Sequence, residues 1–138
     1  MCDVLSKTAK DKLSEGRLSV PTGICAVDVD RGRLSCTVVV DAPPQPPPPD
    51  RVSDFWVRSE PGHRIYIEPR NRARVAEPNS AAADCTGAVF LTQAVRIDGL
   101  GAGSDLCLRT GAGHTAHIFF TAEIRPDSPI QIYYVTRK

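Results

Sequence analysis

The stretch GLGAGSDLCLRTGAGHTAHIFF, residues 99–120, decides the fold. Its two Gly-Ala-Gly triplets, Gly101–Gly103 and Gly111–Gly113, either wrap a phosphate or turn the chain. A phosphate loop opens a helix whose N-terminus meets the anion, and a Walker loop also needs Lys-Ser/Thr after its last glycine. Both triplets here run into alternating, strand-like patterns, and no lysine stands nearby. The glycines therefore turn the chain. A three-residue loop over 111–113 pairs Thr110 with His114 and Leu108 with Ala116, so that inward residues meet inward residues. Gly113 then takes the left-handed position that ends such a loop.

Outward from this hairpin the same period of two continues. Val89, Leu91, Val95 and Ile97 precede it, Leu106 and Leu108 lead into it, and Ala116, Ile118, Phe120, Ala122 and Ile124 follow it. Ile130, Ile132 and Tyr134 close the chain. The loop 98–105 sets Ile97 opposite Leu106, and the loop 125–129, with Pro126 preset for its turn, sets Ile124 opposite Ile130. Four consecutive antiparallel strands over 87–137 are expected, burying Leu91, Val95, Leu108, Ile118, Phe120 and Ile132 together. The last strand, ending in Arg137 and Lys138, is expected at a sheet edge.

Towards the N-terminus, GICAVDVDRGRLSCTVVVD predicts a hairpin with Val29 opposite Leu34, which places Cys25, Val27, Val29, Leu34, Cys36, Val38 and Val40 on one face. Residues 3–15 fit a short helix between an Asp3 cap and Gly16. APPQPPPPD, residues 42–50, can neither pair in a sheet nor form a helix, so it predicts a polyproline spacer. Pro46 to Arg51 also fits a short Pro-x-x-Pro-x-Arg docking ligand. Beyond the spacer, DFWVRSEPGHRIYIEP predicts two short strands around a Pro61-Gly62 turn.

The chain thus predicts an all-β fold, an antiparallel β-sandwich or flattened barrel with a short N-terminal helix. It is expected as one domain of 138 residues: helix and hairpin over 1–41, spacer over 42–50 and main antiparallel sheet over 51–138.

A net charge of +1 excludes a global attraction to nucleic acid or to acidic membranes. No apolar run reaches a membrane span, and the first residues lack the apolar stretch of a secretory signal. The 5 cysteines are odd in number and form no Cys-x-x-Cys pair, which favours free thiols in a reducing cytosol. Cys25 and Cys36 are diagonal rather than opposite in the expected register, which argues against a bridge.

No catalytic constellation stands out, no cofactor is implied, and a metal site is not expected. His114 and His117 are three apart and so point to opposite faces of a strand. The predicted function is a non-enzymatic protein-interaction or assembly module. The second face of the C-terminal strands motivates this, because Phe90, Phe119, Tyr133 and Val135 would make it less polar than a solvated face. Self-association or a protein partner would cover it, unless the N-terminal hairpin and the Trp56 region fold over it instead. The alternative is an anion- or nucleic-acid-binding surface. Arg70, Arg72 and Arg74 alternate, so a single strand would align them, with Arg64 just upstream.

Overall fold

The computed structural model describes residues 12–21, 24–37, 53–60, 62–80 and 85–138. Alternation is realised in this order: β1 (Lys12–Val20), β2 (Ile24–Asp28), β3 (Arg33–Thr37), β4 (Phe55–Glu60), β5 (Arg64–Pro69), β6 (Arg74–Val75), β7 (Val95–Arg96), β8 (Asp105–Arg109), β9 (Thr115–Phe120) and β10 (Ile130–Arg137). The described residues contain no helix. The first sheet runs β1-β10-β9-β8-β6 and the second runs β3-β2-β4-β5-β7, with every pairing antiparallel.

One core joins the two sheets. Leu106, Leu108, Ile118, Phe120 and Ile132 from the first meet Val27, Phe55, Val57, Ile65 and Ile67 from the second. Phe120 is 1% exposed and Ile118 is fully buried. Removing apolar area of this kind from water is the main term that holds two sheets together.

The 111–113 hairpin closes as its sequence predicts. Leu108 faces Ala116, the Thr110 N–H donates to the His114 carbonyl at 2.8 Å, and Gly113 sits at φ 88°. Gly111 has a second reason to be glycine, because a Cβ there would lie 2.1 Å from the Asn71 carbonyl oxygen.

Several expectations are corrected. Residues 12–15 are extended in β1 rather than helical, and the rest of the expected helix lies outside the described residues. They extend because β10 offers β1 an eight-residue ladder, from Lys12–Arg137 to Val20–Ile130. Cooperative pairing overrides a weak amphipathic stripe. β10 is therefore an interior strand, and β1 is the edge. The polyproline segment and its docking motif lie outside the described residues.

The expected four-strand meander has three members, β8, β9 and β10. The segment before them crosses to the second sheet, where Val95 faces Ile67 and the Ile97 N–H donates to the Ile65 carbonyl at 2.9 Å. Ile97 is thus not paired with Leu106. Ile124 is not opposite Ile130 either, since Phe120 faces Ile132 and the Ile124 N–H turns to the Leu100 carbonyl. All four side chains still reach the core, because parity survives when a strand changes sheet.

The cysteine reading is overturned. Cys25–Cys36 and Cys85–Cys107 are disulfides, with Cα separations of 4.1 and 5.8 Å. Such bonds persist in oxidising surroundings, so the cytoplasmic assignment is withdrawn in favour of an oxidising, non-cytosolic environment. The first bond follows from the turn. Asp28 pairs with Arg33, which sets Cys25 directly opposite Cys36 and Val27, not Val29, opposite Leu34. The Asp28 carboxylate fixes that register by accepting the N–H groups of Asp30 and Arg31 at 3.0 and 3.2 Å. A side chain that satisfies turn donors in this way specifies the loop.

Candidate functional site

The outward side chains of the first sheet form cross-strand rows. One row runs Arg17, Tyr133, Phe119, Asp105, and the next runs Glu15, Val135, His117, Cys107. The second row is closed. Val135 and His117 are each 9% exposed, and Cys107 is bonded to Cys85, carried by the loop that follows β6. That loop is anchored by the Ala76 N–H, which donates to the Cys107 carbonyl at 2.9 Å. Ala88 and Phe90 pack beside the disulfide, and the Arg109 guanidinium lies 5.2 Å from the centre of the Phe90 ring. His117 holds Asp105 through a 2.5 Å contact between Nε2 and Oδ2.

The first row is open at its centre. Phe119 and Tyr133 remain half-buried, with ring centres 6.1 Å apart, and the His117 ring stacks on Phe119 at 4.0 Å. The Tyr133 hydroxyl bonds to the Glu15 carboxylate. Burial, and then that bond, raise the Tyr133 pKa above its ordinary value. Among the described residues no guanidinium stacks on this aromatic pair. Of the four residues expected at an interface, Phe119 and Tyr133 come together here. Val135 is buried one row away, and Phe90 sits across the disulfide. The N-terminal hairpin and Trp56 do not cover this face, since their strands lie on the opposite, core side.

The arginine surface is not assembled as the sequence suggests. Arg70 follows β5 and lies over Trp56, 4.1 Å from the ring centre, with Glu68 at 3.9 Å. Asn71 and Arg72 form a tight turn at φ 53° and 70°, closed by the Ala73 N–H on the Arg70 carbonyl. Arg74 starts β6 opposite Arg109 in the other sheet, and Arg64 is exposed at the start of β5 opposite Glu60. The turn breaks the alternation that would have aligned the three guanidiniums.

A second region lies where the loops of both sheets meet. A cavity of about 500 Å³ is lined by Asp30, Arg31, Asp54, Asn71, Arg72 and the Gly111–Ala112 turn. Carboxylate oxygens of Asp28, Asp30 and Asp54 lie within 4.8 Å of one another. Asp54 is 3% exposed, and its Oδ2 accepts the Val29 N–H at 2.8 Å. Desolvation, then the charges of Asp30 and Asp28, push its pKa up to about 7. Asp30 reaches across to His114 at 3.1 Å, and the Thr136 hydroxyl donates to the Val29 carbonyl at 2.7 Å. The cluster ties the two sheets together. Among the described residues the cavity lining carries the carboxylates of Asp30 and Asp54 and no hydroxyl or thiol side chain.

Comparison of the chain with protein-family models, with curated proteins and with solved structures finds no significant match.

Proposed function

We propose that this protein is a non-enzymatic interaction module, a β-sandwich that works in an oxidising environment and docks a protein partner on the Tyr133–Phe119 row. The observation that carries the reading is the contrast within one face. The disulfide loop closes the Cys107 side, while the aromatic pair beside it stays half-buried with no guanidinium over it among the described residues. Aromatic side chains bring large contact area at low rotamer cost, which suits them as interface anchors. Arg17 and Asp105 stand at the two ends of the row. The fitting partner presents an apolar centre between an acidic and a basic group.

Photo-crosslinking tests this in the producing cells. A benzoylphenylalanine replacing Phe119 is expected to give a discrete adduct, and the same probe replacing Tyr66 on the other sheet is expected to give none. Phe119→Ser with Tyr133→Thr should abolish docking while the chain keeps a cooperative melt. Equal labelling at both positions, or none at 119, removes the proposal.

A further inference from the structure

The edge strand β1 has its inner side paired to β10, and no described residue pairs with its outer side. An unpaired edge of nine residues is a template for another strand. We propose that its occupant is a second copy of this chain, with the two β1 strands running antiparallel about a two-fold axis at Gly16.

The sequence KLSEGRLSV selects this register. A two-fold axis perpendicular to the sheet keeps the same face outward in both copies, so each outward residue must meet an outward residue. Centring on Gly16 sets Glu15 opposite Arg17 of the second copy, and Arg17 opposite its Glu15. Sliding the axis to residue 15 would set Glu15 against Glu15, and sliding it to residue 17 would set Arg17 against Arg17. Opposite charges facing each other across strands stabilise pairing and like charges oppose it. One register is therefore favoured over both of its neighbours.

The surroundings agree. Arg17 is exposed and has no acidic partner among the described residues, so its charge is available. Glu15 is held in place by Lys12 at 2.6 Å and by the Tyr133 hydroxyl. On the inward side, half-buried Leu18 meets Ser14 of the second copy. The irregularity between Lys12 and Ser14 bounds the ladder, and Leu13, 39% exposed, lies at its end. The result is a continuous sheet of ten strands, twice the five of each copy, with both Tyr133–Phe119 rows on one face. This pairing shares Arg17 with the docking row and makes no use of Phe119 or Asp105.

Sedimentation equilibrium of the full chain tests it, between about 10 µM and about 1 mM, where weak interfaces register. The wild type is expected to approach twice the monomer mass. Arg17→Glu sets carboxylates opposite each other twice and should weaken association at least about tenfold. Glu15→Arg combined with Arg17→Glu restores opposite charges and should bring the dimer back, with near-ultraviolet circular dichroism confirming the fold of each variant. A wild type that stays monomeric overturns the inference, as does an Arg17→Glu chain that dimerises like wild type, or a folded double variant that stays monomeric. Phe119→Ser, which keeps the Tyr133 hydroxyl on Glu15, should leave the dimer intact. If that variant alone abolishes it, association belongs to the aromatic face and not to β1.

Discussion

The outer faces of the two sheets carry aromatic rings at comparable depth but treat them differently. On the second sheet, Trp56 lies under Arg70 and Tyr66 under Arg58, with guanidinium-to-ring distances of 4.1 and 5.1 Å. Glu60 and Glu68 then hold those arginines in place, Arg58 touching both and Arg70 lying 3.9 Å from Glu68. Long cationic side chains cover apolar surface with their stems while their heads stay in water. On the first sheet, Phe119 and Tyr133 have each other and His117 as their ring neighbours among the described residues. One face supplies its own cover; on the other, no described guanidinium covers the rings, and the proposed partner would take that role. Exposure alone would not separate the two, because all four rings are half-buried.

The largest expected effect sets a baseline for this comparison. Phe119 and Phe120 are adjacent on β9 and point to opposite sides. Phe120→Ala empties a site that is 1% exposed and should cost about 3–5 kcal/mol in urea unfolding. Phe119→Ser should cost about 1 kcal/mol or less, because the ring is half-buried on the outer face and not part of the core. Equal losses would mean that Phe119 is structural and would erase the difference between the faces.

Much of that baseline was legible in the sequence. Once Gly113 is placed at the end of a three-residue loop, the register of β8 and β9 follows, and with it Phe120 inside and Phe119 outside. The same register sets Cys107 opposite His117. The Cys85–Cys107 bond was not legible, because 22 residues separate the two cysteines and the intervening chain changes sheets. The Cys25–Cys36 bond depended on which residues close the β2–β3 loop. A preference for glycine at the turn centre pointed to one register, while Asp28 capping the loop one step earlier selects another. Arg70, Arg72 and Arg74 failed as a strand because Asn71 and Arg72 both adopt left-handed conformations, a turn usually marked by glycine. Local patterning therefore read most faces well, with Val89, 72% exposed, and exposed Ala122 as misses, and read long-range partners poorly.

The tie between the sheets provides an intermediate effect that should leave the contrast between the faces unchanged. Asp54 has a folded pKa of about 7 against an ordinary 3.8. Between those values the folded chain holds a proton that the unfolded chain has lost. The contribution of Asp54 to stability is therefore greatest below about pH 4, falls as pH rises through this window and levels off above about pH 7. The loss should be on the order of 4 kcal/mol. Asp54→Asn keeps an oxygen that can accept the Val29 N–H and should flatten that part of the pH profile. An unchanged slope in the variant would place the titrating group elsewhere. Crosslinking from position 119 should be the same at both ends of the window, because Asp54 lies at the loop end and not beneath the aromatic row.

The smallest expected effect tests the comparison from the covered side. Arg70→Ala removes the guanidinium over Trp56, an exposed cation–π contact worth about 0.5–1 kcal/mol, so unfolding should shift only slightly. The optical change should be larger than the energetic one. Trp56 is the single tryptophan in the chain, so its fluorescence reports this face alone. Without Arg70 the indole meets water, and acrylamide should quench it more strongly, with emission moved to longer wavelength. Phe119→Ser, on the other sheet, should leave both readings at their wild-type values. If Arg70→Ala leaves quenching unchanged, the arginine is not the cover, and the two faces differ for another reason. If quenching rises and benzoylphenylalanine at position 66 still gives no adduct, uncovering Trp56 has not made the second face a docking surface. Partner choice then rests on the Arg17–Tyr133–Phe119–Asp105 row itself, with its charges at both ends, and not on bare aromatic area.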